Sequence, residues 1–435
     1  MPMPKKQYYF DCAATTPLDE RVFLTMLPYF SKDFGNPSNL YELGRNANRV
    51  VAEATKIISK IIGCGTDEFF YTGSATEADN LAILGVAKEI LKGHPLGQNS
   101  SRVPLGKEKP KIIISEIEHK GILAVCDVLE KEGFEIVKLP VQKNGLVDLE
   151  KLKKELNDRT ILVSITMADS ETGTIQPISE ISSIIKNFKK SSPLAPLLAK
   201  ERGWGEVLLH TDASQAAGYL DLNVEKLGVD LMTLSAHKIG GPKGIGGLYV
   251  RRGTKINPII YGGGQQGSLR SGTENVPGIV GFAQALRLCN KNKKKEFVRI
   301  KKMRDTLEKG IFKSIPKVVL NGHPQKRLPN FLNISILDIE GEAMLLYLDE
   351  LGIMVSTGSA CNSLSLEPSY ILKALGNSYE HIHGSLRFTL GKGNSIADVK
   401  YVLKHLPVVV KKLRSISSLD LSLNQKKWQN KIKKM

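Results

Sequence analysis

Ser235-Ala236-His237-Lys238-Ile239-Gly240-Gly241-Pro242-Lys243-Gly244 follows directly on an apolar run, Val229 to Leu234, that reads as a buried strand. The stretch sets Lys238 in a tight, Gly- and Pro-rich turn at the strand's end. A buried ammonium is costly, and chemistry is one reason to accept that cost. A desolvated lysine can form a Schiff base with a carbonyl cofactor. A surface lysine in a Gly-Pro turn is the plain alternative, and this stretch alone leaves both open.

Outward from this turn the chain alternates short apolar runs with helical stretches. Strands are expected at 68–72, 111–115, 134–139, 160–167, 207–211, 229–234 and 245–250, with helices at 76–92, 119–132, 148–156 and 177–190. Such alternation predicts an α/β fold, a mostly parallel sheet flanked by helices on both faces. After Val276 the pattern changes. A long basic helical stretch to Ile315 precedes strands at 318–320, 331–337 and 385–390 and helices at 342–351 and 396–414, which read as a smaller α+β domain. The expected division is residues 1–20 completing the small domain, 21–275 as the large domain and 276–435 as the small one. Residues 93–110 and 191–206, rich in Pro, Gly, Ser and charge, read as insertions.

Length and composition bound the function. A chain of 435 residues exceeds one core, and 41% hydrophobic with 24% charged residues is ordinary for a globular protein. No stretch is long enough for a membrane span, and Met1 to Lys6 is not followed by an apolar signal core. The five cysteines are scattered and show no metal-ligand or disulfide spacing. A cytoplasmic protein without a metal is therefore expected. The net charge of +17 is concentrated in Lys291 to Lys302 and Gln425 to Met435, runs that read as solvated faces or tails. No aromatic-interleaved RNA module is visible, so direct nucleic-acid binding is not expected, whereas an acidic partner protein is compatible with the charge.

Four further places carry chemistry. Thr72-Gly73-Ser74-Ala75-Thr76-Glu77-Ala78-Asp79-Asn80 joins a strand to a helix, where small residues suit either an anion cradle or simple N-capping by Ser74 or Thr76. His210-Thr211-Asp212-Ala213-Ser214-Gln215 ends another strand, where ligands of α/β folds bind. Asp212 there could face a protonated pyridine nitrogen, the partner that keeps pyridoxal 5'-phosphate (PLP) an electron sink, or cap the next helix. His119 opens a helix just after a strand. Cys361 sits in Val355-Ser356-Thr357-Gly358-Ser359-Ala360-Cys361-Asn362-Ser363-Leu364, among small polar residues that suit an accessible loop, whereas Cys12, Cys64, Cys126 and Cys289 suit packing.

The order and company of these signals resemble the cysteine desulfurases of the NifS/IscS type, class V aminotransferases of the fold-type I PLP enzymes. The resemblance runs from Tyr9-Phe10-Asp11-Cys12-Ala13-Ala14-Thr15-Thr16-Pro17 to about Arg414. It includes Gly35-Asn36-Pro37, Arg270-Ser271-Gly272-Thr273, Ser359-Ala360-Cys361, Leu366-Glu367-Pro368-Ser369-Tyr370 and Ser385-Leu386-Arg387-Phe388.

The resemblance implies roles. Lys238 would carry PLP covalently, with the phosphate on Ala75 and Thr76 and donors from Ser235 and His237. Thr273 would reach the phosphate of a neighbouring subunit, so a homodimer with shared sites is expected. Asp212 would hold the ring nitrogen, Gln215 and Ser170 the phenolic oxygen, and His119 would stack on the ring and move protons. Arg387 and Asn36 would clamp the carboxylate of L-cysteine. Cys361 would take its sulfur as a persulfide, releasing alanine, for delivery to an acceptor such as an iron–sulfur scaffold or a tRNA-thiolation relay protein. Two departures stand out. Asp169-Ser170-Glu171 replaces the family's Asn-Asn-Glu, from which weaker PLP retention and repulsion of a carboxylate substrate by Asp169 are expected, and the basic ending from Asn424 is unlike the family's usual one. The alternatives are a selenocysteine lyase, another class V aminotransferase-type enzyme, or a catalytically poor sulfur-relay protein.

Overall fold

A computed structural model describes residues 6–93, 109–191, 206–357 and 368–416. Most of the two expected insertions, Cys361 and the basic ending lie outside these residues.

In chain order the strands are β1 (Tyr8–Tyr9), β2 (Phe69–Thr72), β3 (Lys111–Ser115), β4 (Glu135–Leu139), β5 (Thr160–Ser164), β6 (Leu208–Asp212), β7 (Leu231–Ser235), β8 (Gly246–Val250), β9 (Val318–Asn321), β10 (Phe331–Ile336), β11 (Ile353–Met354) and β12 (Ser385–Thr389). The main sheet has the order β2-β8-β7-β6-β5-β3-β4. All its neighbours pair in parallel except those of β8, which runs antiparallel to both β2 and β7. The lysine turn explains the exception. It joins β7 to β8 through Ala236–Ile245 without a crossover helix, and so short a link returns the chain antiparallel. The carboxyl ends of β2, β3, β5, β6 and β7 consequently share one edge.

β3, β5, β7 and β8 are buried at every residue, as strands covered on both faces must be. Alternate side chains point to opposite faces. Ile112, Ile114, Leu162 and Leu248 pack with the helices Ala75–Gly93 and Lys120–Lys131. Ile113, Val163, Leu209, Met232 and Leu234 pack on the other face with the helices Glu42–Ile62 and Ile178–Ser191. The helix Glu42–Ile62 had no place in the strand–helix alternation read from Glu68 onward. Its buried positions, among them Ala47, Val51, Ala54, Ile58 and Ile62, nonetheless recur every three to four residues.

A second core gathers β10 and β12 with the helices Gly341–Glu350 and Ile396–Ile416. The sheet there is antiparallel, ordered β12-β10-β9. The N-terminal segment joins this unit: β1 pairs with β11, Phe10 is in its core and Asp11 bridges to Thr389. The helix Val276–Ser314 serves both cores. Val276 to Cys289 pack in the first, and Ile300 to Ile311 in the second. The change of core thus falls inside this helix and not ahead of it at 275, because each half buries its own apolar face.

Candidate active site

The floor of the site is the shared carboxyl edge of the main sheet. At the end of β2, Ser74 caps the helix Ala75–Gly93: its Oγ accepts from Glu77 N–H at 3.1 Å and its carbonyl from Ala78 N–H at 3.1 Å. The N–H groups of Ala75 and Thr76 have no partner among the described residues, as the first turn of a helix allows. With the helix dipole they form an anion cradle. A Cβ on Gly246 would stand 2.8 Å from Ala75 N, so β8 can start beside the cradle only with glycine there.

At the end of β3, His119 caps the next helix, its Nδ1 accepting from Gly121 N–H at 3.0 Å. That bond leaves the neutral ring's proton on Nε2. Surrounding protein pulls the His119 pKa below its ordinary value, with Lys238 and Lys120 acting the same way and Asp212 opposing. Thr76 stands beside this ring across Gly121, and Asn80 Nδ2 joins the two helices through Thr76 O at 2.8 Å and Gly121 O at 3.3 Å.

At the end of β6, Asp212 is buried and its Oδ1 accepts from Ser214 N–H at 2.8 Å. At the end of β7, Ser235 is buried and Lys238 Nζ donates to Ala13 O at 2.5 Å and Ala14 O at 2.9 Å. Gln215 Nε2 donates to the same Ala13 carbonyl at 3.1 Å, so Gln215 and Lys238 converge. His237 Nδ1 meets Thr15 Oγ1 at 3.0 Å, and burial pulls its pKa down to about 4.

The opposite wall comes from the small domain. Arg387 on β12 is buried; its guanidinium donates to Asp11 Oδ1 at 2.7 Å and Ser170 O at 2.8 Å. Its Nε is buried without a partner among the described residues. Asp169 does not present its charge to the cleft as expected. Its carboxylate receives the N–H groups of Glu171, Thr172 and Thr174 and the Thr172 hydroxyl, so it organises its own loop.

The chain on either side of Cys361 also reaches this site. Ser356 exchanges backbone hydrogen bonds with Arg387 at 3.2 and 2.7 Å. Ser369 Oγ donates to Glu171 Oε2 at 2.5 Å and Tyr370 OH to Glu118 O at 2.7 Å. Cys361 itself lies outside the described residues. Burial pushes the other thiols up, Cys12 and Cys126 to about 12, Cys64 to about 11, and Cys289 as well.

Two expected residues stand apart. Asn36 lies in a turn where its Oδ1 accepts from Ser38 N–H at 3.0 Å, and none of its described bonds reaches the cleft. Thr273 is exposed, although its segment is tied to the cradle by Arg270 Nε, 2.7 Å from Glu77 Oε1. Sequence reading missed Asp11, which holds Arg387, and the buried acids Asp79 and Glu118. No local pattern marks Asp11 or Asp79, whose partners lie far away in the chain, and Glu118 pairs with nearby Ser115 as well as distant Thr166.

The donor set fits PLP: an amine, an anion cradle and a buried acid on one edge of the sheet. The described residues include no cluster of His, Cys, Asp and Glu able to hold a metal ion, and no helix among them is long and apolar enough to cross a membrane.

Comparison with known proteins agrees with this geometry. Residues 8–402 match the aminotransferase class-V family. The chain is 44% identical over 413 residues to the cysteine desulfurase IscS of Dictyoglomus turgidum, covering 95% of this chain and 97% of that one. It is 43% identical to the cysteine desulfurase IscS of Methanosarcina thermophila, covering 95% and 94%. Among solved structures, a NifS-like protein superposes with a TM-score of 0.82 at 34% identity, covering 94% of this chain and all of that one. The NifS-like protein of Rickettsia africae superposes at 0.77 and 31% identity, covering 93% and 100%. The chain belongs to the aminotransferase class-V family, in its cysteine desulfurase group.

Proposed function

We propose that this chain converts L-cysteine to L-alanine with PLP and keeps the sulfur on Cys361 as a persulfide for an acceptor protein. The observation that carries the reading is the convergence of Lys238, Asp212 and His119 on one edge, with Arg387 facing them from the other domain.

Lys238 would hold PLP, Ala75 and Thr76 its phosphate with Ser235 and His237 beside them, Asp212 its ring nitrogen, and Gln215 and Ser170 its phenolic oxygen. PLP when bound supplies an electron sink for the substrate's Cα electrons. Arg387, held by Asp11 and Ser170, would bind the substrate carboxylate, a task suited to a planar guanidinium; Asn36, whose side chain is taken up in its own turn, would have to leave that turn to assist. Lys238 Nζ takes the Cα proton. His119, neutral and protonated on Nε2, supplies a proton to the reacting carbon side. Cys361 attacks the substrate sulfur: the S–S bond forms as the Cβ–S bond breaks, and alanine leaves. The raised pKa values of the four described thiols support giving this role to Cys361.

A homodimer fits the surface. Phe23, Leu24, Leu27, Phe30, Phe34, Leu40 and Tyr41 are exposed within one short stretch of sequence, apolar side chains that a second copy would cover. The exposed Thr273 would then reach the partner's phosphate cradle. The four described cysteines are free thiols, in keeping with a reducing cytoplasm. Iron–sulfur scaffolds or thiolation relay proteins are the acceptors this chemistry would serve.

The test is alanine release from L-cysteine by the wild type beside Cys361→Ala. Alanine from the wild type alone supports the reading. Alanine from both removes Cys361 from its role, and alanine from neither despite bound PLP overturns the reading.

A further inference from the structure

Beneath the cleft floor lies a second row of polar groups that take no part in the chemistry above. Ser164 on β5, His210 on β6 and Thr233 on β7 stand side by side. His210 is wholly buried, its Nδ1 meeting Ser164 Oγ at 2.8 Å and its Nε2 meeting Thr233 Oγ1 at 3.1 Å. Asp79, one turn below the Ala75–Thr76 cradle, is also wholly buried, and its Oδ1 lies 3.7 Å from His210 Nε2. Among the described residues neither Asp79 oxygen has a hydrogen bond of ordinary geometry, and the Thr233 hydroxyl is the side chain that acts on it as a donor. An unsatisfied buried carboxyl costs on the order of 1–3 kcal/mol, so its presence calls for a reason.

Its neighbours supply one. Asp212 follows His210 by two residues on β6, so both project from the same face of the sheet, and Thr233 is the register partner of Asp212. Glu118 flanks them, accepting from Ser115 Oγ at 2.5 Å and Thr166 N–H at 2.9 Å. Thr166 Oγ1 in turn donates to Asp212 O at 3.3 Å. We propose that Asp79, with His210 and Thr233, is a positioning unit for Asp212 that fixes this carboxylate's place and sets how strongly it pairs with a cationic ring nitrogen. The inference rests on the assignment of Asp212 made above.

Electrostatics agrees with the geometry. Burial raises the Asp79 pKa well above its ordinary value, with the charge of Asp212 adding to the effect. Burial likewise lifts Glu118 to about 8 and pulls His210 down to about 4. Near pH 7 His210 is therefore neutral, and the upward shift favours the neutral form of Asp79, which braces Asp212 without the repulsion a second anion would bring. The titratable groups around Asp79 are His210 and Asp212 on β6 and Glu118 beside them, with His119 and Lys238 above at the cleft.

The experiment compares wild type, Asp79→Ala, Asp79→Asn, Thr233→Val and Asp212→Asn, each purified with PLP. Two readouts are taken: loss of the cofactor on dialysis, and the pH midpoint of its visible absorption band. Asp79→Ala is expected to lose PLP roughly ten-fold faster, as groups supporting a ligating residue commonly do, and to shift the midpoint. Asp79→Asn, neutral and of the same shape, restores both. Thr233→Val, which removes one hydroxyl, shifts both in the same direction but less, and decides the matter if Asp79→Ala does not fold. Wild-type retention and midpoint in folded Asp79→Ala or Thr233→Val, while Asp212→Asn changes them, overturn the positioning unit alone. If Asp212→Asn changes neither, the assignment of Asp212 falls and this inference with it.

Discussion

The two walls of the cleft are built by different means. The floor is the edge of a sheet, where Ala75, His119, Asp212 and Lys238 follow four strands whose neighbours lock them in register. The facing wall is one long side chain, Arg387, steadied by Asp11 and a carbonyl of the Ser170 loop. That loop also receives Asn333 Nδ2 at 3.1 Å on Glu171 O, Leu328 N–H at 2.9 Å on Gly173 O and Ser369 on Glu171. A reagent that must stay fixed belongs on the ladder of backbone bonds. Recognition of a substrate that enters and leaves belongs on the adjustable contacts between domains.

The sharpest way to break the comparison is to empty the floor of its amine. Lys238→Ala is expected to lower alanine formation on the order of 10⁴-fold, the upper range for one acid–base group, without a matching fall in thermal stability. Equal loss of both would make Lys238 a structural residue. The wall should behave otherwise. Arg387→Ala is expected to lower kcat/KM for L-cysteine roughly 10²-fold, from charged hydrogen bonds worth about 1.5–3 kcal/mol each. Most of that loss should appear in KM, and a loss confined to kcat would contradict the division.

The smallest effect sharpens the picture of the floor. Glu118 binds its proton more tightly folded than unfolded, with its pKa raised from 4.5 to about 8 by burial. Its contribution to stability is therefore full below about pH 4.5 and is lost as pH rises through 8. Glu118→Gln has no such proton to lose. Its melting temperature should gain on the wild type by a few degrees between pH 5 and pH 8, and a constant gap would show that Glu118 titrates normally.

Much of the floor was legible because each of its residues ends an apolar strand or follows one within four residues. The N-caps Ser74 and His119 and the turn at Lys238 are local features, and local features are written in consecutive residues. The second row was not legible. Asp79 reads as a polar position near a helix start, and only packing of that helix on β6 and β7 makes it a buried acid beside His210. Asp169 was misread for the same reason: its repulsion of substrate was inferred from type, whereas its loop folds back around the carboxylate. Asp11 and Arg387 are separated by almost the whole chain, so nothing in their surroundings foretold the pairing.

Consecutive residues were enough to give the alternation of strands and helices, the mostly parallel sheet they build and the places of Lys238, Asp212 and His119 at its carboxyl edge. Periodicity and turn composition act over a few residues, which is why they survive without a structure. Tertiary structure alone decided the pairing of β1 with β11, the single helix shared by both cores and the buried acids under Asp212. These depend on contacts between residues distant in the chain, and burial, which sets both packing and pKa, exists only once those contacts have formed.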